Sequence, residues 1–146
     1  MGDLLDDRAA TDLVAMLARV AWALRTMSPG KLAAQLPGPT ASRADAGRLL
    51  ARTLAVAAQG IERAGDPEPP AWRSVPEVGD LVVGDQVNVL AHDLRPALAE
   101  VADASAGVSG AGSVASITVW TPQGRAPLAD VLRDLAATAE EVQRLL

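Results

Sequence analysis

Asp85, Asn88, His92 and Arg95 are spaced by three, four and three residues, which sets a carboxylate, an amide, an imidazole and a guanidinium on one face of a helix. A carboxylate that orients an imidazole makes a general base, and Asp93 follows His92 directly as a second acidic neighbour. Asp85 and His92 are nevertheless two turns apart, about 10 Å along a helix axis, too far for direct contact. The four residues therefore read as a polar stripe whose functional alternative is contact with a ligand, and no catalytic residue is assigned.

Other chemistries fail on residue type. The chain has one histidine and no cysteine, which excludes disulfides, thiolate zinc sites, iron–sulfur clusters, a Cys nucleophile and any multi-histidine metal site within one chain. The Glu-x-x-His motif of carboxylate-bridged di-iron bundles is absent, and no acidic loop has the calcium-binding pattern. Gly107, Gly110 and Gly112 lack the Lys-Ser/Thr of a phosphate-binding loop, and no Gly-x-Ser-x-Gly elbow occurs. No metal and no cofactor is expected, and an enzymatic role is disfavoured.

The elements that must position these residues are helical. In 146 residues alanine supplies about a fifth, and arginine provides all but one of the 13 basic side chains, a bias typical of high-GC bacterial genomes that also favours helix. Leu13, Leu17, Val20, Leu24 and Met27 form one stripe of a helix over about Asp3 to Met27. Breakers from Pro29 to Pro39 predict a loop with a short turn near Lys31 to Leu36. Ser42 and Asp45 then open a second long helix to about Ala64, with Leu50, Leu54, Ala57 and Ile61 on its buried face and Gly65 as its terminal cap. The segment from Asp66 to Pro76 holds four prolines and predicts an extended crossover strap carrying Trp72.

The next helix runs from about Val78 or Asp80 to Ala104, with Val83, Val87, Leu90, Leu94, Ala97 and Val101 in register and a kink expected at Pro96. Leu81, Val82, Val89 and Leu98 lie off that stripe, so its apolar surface is wider than one seam requires. Residues 105 to 113 read as a flexible linker. Val114 to Trp120 is rich in β-branched residues and reads as a packed extended arm, a short helix, or a strand pairing across a dimer. A last helix from about Ala126 or Pro127 to Leu146 carries Leu128, Leu132, Leu135, Ala139 and Val142. These patterns predict an all-α four-helix bundle over residues 1–146, with a proline-rich crossover and a short extended segment near 114–120.

Charge is unevenly placed. The formal net charge is −5; residues 29–65 carry two acids and five bases, and residues 66–104 carry eight acids and two bases. Neighbouring basic and acidic elements, or an acidic face for a basic partner, would account for it. Arg43, Arg48, Arg52 and Arg63 on the second long helix are the one feature favouring DNA, but the chain is acidic, its three tryptophans are scattered, and that helix is bracketed by long loops; no nucleic-acid partner is expected. The N-terminus has three acids where a secretory signal carries positive charge, and the longest charge-free stretch is full of glycine and serine, so a cytoplasmic protein without membrane association is expected. Surplus apolar surface points to protein–protein interaction or homo-oligomerisation through Val82, Val89, Leu98, Ile117, Val119 and Trp120. The alternative is a small-ligand-binding bundle, or an enzyme, with a pocket near His92.

Overall fold

The computed structural model describes residues 2–106 and 117–146. Each apolar repeat of three and four has become a helix that buries its stripe. Helix α1 (Gly2–Thr26) buries Leu13, Leu17, Val20 and Leu24 and ends with Arg25 in its last turn, where a cation opposes the partial negative charge of the free carbonyls. Ser28 caps α2 (Pro29–Ala33), its Oγ accepting from the Lys31 amide, with Pro29 at the first position where its missing N–H costs nothing. The predicted turn at Lys31 to Leu36 thus begins two residues earlier, and a single bridge from Gln35 to Ser42 closes the following loop.

Helix α3 (Arg43–Glu62) is capped as expected by Ser42, whose Oγ accepts from the Asp45 amide at 3.1 Å. Asp45 is one methylene shorter than the usual glutamate, and its carboxylate accepts from the Ser42 hydroxyl at 3.1 Å. The expected glycine cap is not used. The last turn tightens instead, with the Arg63 amide bonding the Gln59 carbonyl and the Ala64 amide the Ile61 carbonyl, so no left-handed residue is needed.

A short 3₁₀ turn (Asp80–Val82) leads into α4 (Val83–Ala106), which buries Val83, Val87, Leu94, Ala97 and Val101. Helical assignment continues through Pro96. That residue and His92 are both exposed, so the carbonyl deprived of its donor is open to water. The first two residues of the expected linker, Ser105 and Ala106, belong to α4; positions 107–116, including Val114, lie outside the described residues.

The described end of the β-branched segment enters a strand that pairs locally. Strand β1 (Thr118–Thr121) runs antiparallel to β2 (Gly124–Pro127), with Thr121 opposite Gly124 across the turn. Gly124 has φ 117°, a left-handed conformation that only glycine adopts without strain. Pro127 closes β2 and caps α5 (Leu128–Leu145), so this helix starts one residue after the proline expected inside its first turn. The chain is therefore mostly helical, with five α-helices and a two-stranded sheet among the described residues, in place of the expected all-α arrangement of four helices. No described helix is long and apolar enough to cross a membrane.

Helix α3 packs against α4 and α5, and α1 packs against the same two. Arg43 near the start of α3 donates to the carbonyl of Leu145 at the end of α5, so these two run in opposite directions. Arg25 near the end of α1 pairs with Asp85 near the start of α4, the same relation. Arg48 in the second turn of α3 reaches Val78 and Asp80 just ahead of α4, so α3 and α4 run in the same direction. Parallel neighbours cannot be joined by a tight turn, and residues 63–79 form the long strap that returns the chain to the starting end.

Candidate functional site

Prolines at positions 67, 69, 70 and 76 leave the strap rich in carbonyls and poor in donors, and its extended course gives those carbonyls no helical partners. Side chains from α3 and α4 supply the missing bonds. Gln59, buried on α3, donates from Nε2 to the Arg73 carbonyl at 3.1 Å while its Oε1 accepts from the Arg73 amide at 2.7 Å. Its second Nε2 hydrogen is aimed at the Ala55 carbonyl one turn back, at 3.1 Å. Gln86 on α4 donates to the Pro76 carbonyl at 2.8 Å. Arg48 donates to the Val78 carbonyl at 2.9 Å, to Asp45 at 2.8 Å and to Asp80 at 2.6 Å. The bond to Asp80 comes first among the causes that raise the Arg48 pKa above its ordinary guanidinium value; partial burial opposes it and Asp45 adds to it.

The other end of the strap is tied to the hairpin. Trp120 donates from its indole nitrogen to the Asp66 carbonyl at 3.1 Å, and the Arg125 guanidinium lies 4.6 Å from the centre of the Trp120 ring while also donating to the Ala64 carbonyl. The Trp120 backbone crosses α3 at Gly60, where a β-carbon would fall on the Trp120 carbonyl. A glycine is the residue that lets a strand lie directly on a helix there.

Held in this way, the strap stands beside the seam of α3 and α4 without filling it, and a groove of about 450 Å³ remains. Ala55 and Ala58 form its floor on α3, Val75 and Pro76 its wall on the strap, and Val82 in the 3₁₀ turn with Val89 and Leu90 on α4 its opposite wall. Val82 and Val89 are 48% and 57% exposed, unusual for valine on a helix that also contributes to a core. Glu62, Asp85 and Asp93 supply acidic groups and Arg73 the one basic group of the lining. Asp85 is engaged by Arg25 at 2.7 Å; Glu62 and Asp93 have no ion-pair partner among the described residues. A smaller depression of about 270 Å³ lies between α3 and α5 around the exposed Leu49.

The polar quartet is only partly connected to this groove. Asp85 lines it, whereas Asn88, His92 and Arg95 are exposed on α4 outside its lining, and no hydrogen bond or ion pair joins them among the described residues. The six apolar candidates also separate. Val82 and Val89 face the groove; Leu98 and Trp120 are half-buried; Ile117, just ahead of β1, and Val119 within it are 7% and 0% exposed and belong to the core, because β1 lies against α3. Those two are withdrawn as surface contacts. Trp72 is half-buried on the strap.

Gln59 is the residue that pattern reasoning overlooked. Its signal was present: between Leu54 and Ile61 it is the only polar side chain in Leu-Ala-Val-Ala-Ala-Gln-Gly-Ile. A lone amide on a buried face requires a partner, and the strap is that partner. Among the described residues there is no group of three or more side chains suited to hold a metal ion. Comparison with protein-family models, with curated proteins and with solved structures finds no match to this chain.

Proposed function

We propose that the chain is a non-enzymatic helical-bundle protein that acts by binding another protein, and that the groove between α3, α4 and the strap is its contact surface. The observation that carries this reading is the pair Val82 and Val89, half-exposed valines beside a preformed apolar groove whose wall is pinned by Gln59, Gln86 and Arg48. Apolar surface left in water costs about 25 cal/mol per Å², so a partner that covers it gains that energy. Rigid walls add to the gain because little order has to be imposed on binding.

The test is a selection from a displayed library of protein fragments with the full chain as bait, run in parallel on Val89→Arg. Light scattering over a dilution series of both proteins accompanies it. Binding of fragments, or self-association, that Val89→Arg abolishes supports the reading. Binding and assembly indifferent to that substitution overturn it. A volume of about 450 Å³ also lies within the range of small-molecule sites, and a small-ligand reading on this ground centres on the groove rather than on His92. A thermal shift with an apolar small molecule that survives His92→Ala and disappears in Val89→Arg would favour it.

A further inference from the structure

Resting on the groove as a protein-binding surface, we infer that its occupant is an amphipathic α-helix of a partner protein, about three turns long, with apolar side chains on one face and lysine or arginine beside them.

An extended peptide binds a groove by pairing with a free strand edge. Here the strap carbonyls of Arg73, Pro76 and Val78 are taken by Gln59, Gln86 and Arg48, the Arg73 amide is taken by Gln59, and Pro76 has no N–H, so only Ser74 and Val75 of the lining strap residues offer an open edge. The other two walls are helices whose backbone groups bond within themselves. Two residues of open edge pair with little of an extended peptide about 16 Å long, whereas an α-helix satisfies its own backbone and needs none of it. The wall formed by the 3₁₀ turn and α4 extends from Val82 to Asp93, about 16 Å at about 1.5 Å per residue, which matches three turns of a partner helix.

The strap and α4 lie within the region of eight acids and two bases, and only part of that excess is neutralised within the chain. Arg25 takes Asp85, Arg48 takes Asp80 and Arg63 takes Asp66. Glu62 and Asp93 border the groove without an ion pair among the described residues and outnumber Arg73, the one basic side chain of the lining, and because α3 and α4 run in the same direction both lie towards the end away from Val82. Glu62 is also the last residue of α3, where the free carbonyls add negative potential. A basic side chain beside the apolar face of the incoming helix meets these carboxylates, and an acidic one is repelled.

The experiment uses the full chain and two synthetic helical peptides of about 12 residues. Both carry leucines spaced three and four apart; one has lysine at the flanking positions, the other glutamate. Titration at low salt is expected to show the lysine peptide binding about tenfold more tightly, the sum of two rim charge pairs. The preference should shrink to near unity in Glu62→Gln/Asp93→Asn, and both peptides should lose binding to Val89→Arg. Equal binding of the two peptides, a preference unchanged in the double variant, or a proline-interrupted lysine peptide binding as well as the helical one overturns the inference while leaving the groove as a contact surface. No binding of either peptide overturns it too, as does a dimer seen by light scattering that Val89→Arg dissolves, which would make the occupant a second copy of this chain. Peptide binding that Val89→Arg leaves intact overturns the groove reading itself.

Discussion

Replacing Gln59 by methionine removes the amide from the centre of the strap contact and keeps the side-chain length. Three hydrogen bonds vanish, but they are not equivalent. The Ala55 carbonyl keeps its helical bond from the Gln59 backbone amide, so its loss costs little. The Arg73 amide and carbonyl lose their partner within the protein. Were both sealed from water, each would incur a desolvation penalty of about 1–3 kcal/mol. Arg73 is an exposed residue, so water can reach them, and the expected cost is the ordinary net value of two hydrogen bonds, about 2 kcal/mol. For a chain of this size that corresponds to a fall in Tm of roughly 6–8 °C. Urea denaturation gives the free energy, and amide exchange locates it, because the Arg73 amide should lose protection while the amides of Leu50 and Leu54 keep theirs relative to global stability. Gln59→Glu should be worse than methionine, since it places a carboxylate against the Arg73 carbonyl in a buried position. A Gln59→Met protein within about 0.5 kcal/mol of the parent, with the Arg73 amide still protected, would show that the strap is held by something other than this clamp.

Arg48→Met should cost about 1–3 kcal/mol through the charge-assisted bonds to Val78, Asp80 and Asp45, and Arg48→Lys should recover only part, since a single ammonium nitrogen cannot span acceptors that Arg48 reaches from separate guanidinium nitrogens; urea titrations rank the two. Because the Arg48 pKa is raised, its contribution is present at every pH below the ordinary guanidinium value and is lost only as pH rises through the folded one, so this term should be flat from neutral to moderately alkaline pH in denaturation curves. Gly60→Ala drives a β-carbon onto the Trp120 carbonyl and should destabilise by about 1–3 kcal/mol, with earlier exchange of the Trp120 indole hydrogen seen by NMR. His92→Ala should leave stability within about 0.5 kcal/mol, because the ring is exposed; a larger loss by thermal denaturation would give His92 a role that its surroundings do not indicate.

The helices were legible because their apolar stripes are long and regular. Leu17, Val20 and Leu24, then Leu50, Leu54 and Ile61, then Val83, Val87 and Leu94 are all buried, as their spacing requires. The Ser42 cap was legible for the same reason, since a short polar side chain just before such a stripe has one common use. The hairpin was half legible. Ile117, Thr118 and Val119 announce a strand, but its partner Gly-Arg-Ala-Pro has almost no strand propensity and exists because the turn at Gly124 folds it back onto β1. That same hairpin explains why Ile117 and Val119 are interior: a glycine in α3 admits it, a long-range fact that no local window contains. Val82 and Val89 were found as surplus apolar residues because they fall off the α4 stripe. The His92 quartet was found by spacing too, yet spacing decides which residues share a face and not which face meets a cavity.

The strap, the uneven charge and the groove have one physical origin. Proline in the crossover removes the donors with which extended chain usually pairs, so the strap cannot dock onto α3 and α4 through its own backbone and is held at a distance by long polar side chains from both helices. Of the basic side chains of residues 29–65, Arg48 and Arg63 are spent on the two ends of that strap, at Asp80 and Asp66. Arginine and glutamine hold the strap farther out than alanine or leucine packing would, and the floor beneath is Ala55 and Ala58, too small to fill the space. Shortening the spacers should therefore close the groove. Gln86→Ala removes one of them at an exposed bond, where the loss costs only about 1 kcal/mol. The same substitution is expected to let Pro76 settle towards Ala55 and to weaken binding of the lysine peptide without unfolding the chain. Peptide affinity unchanged in Gln86→Ala would mean that the groove's width is set by α3 and α4 alone and owes nothing to the strap.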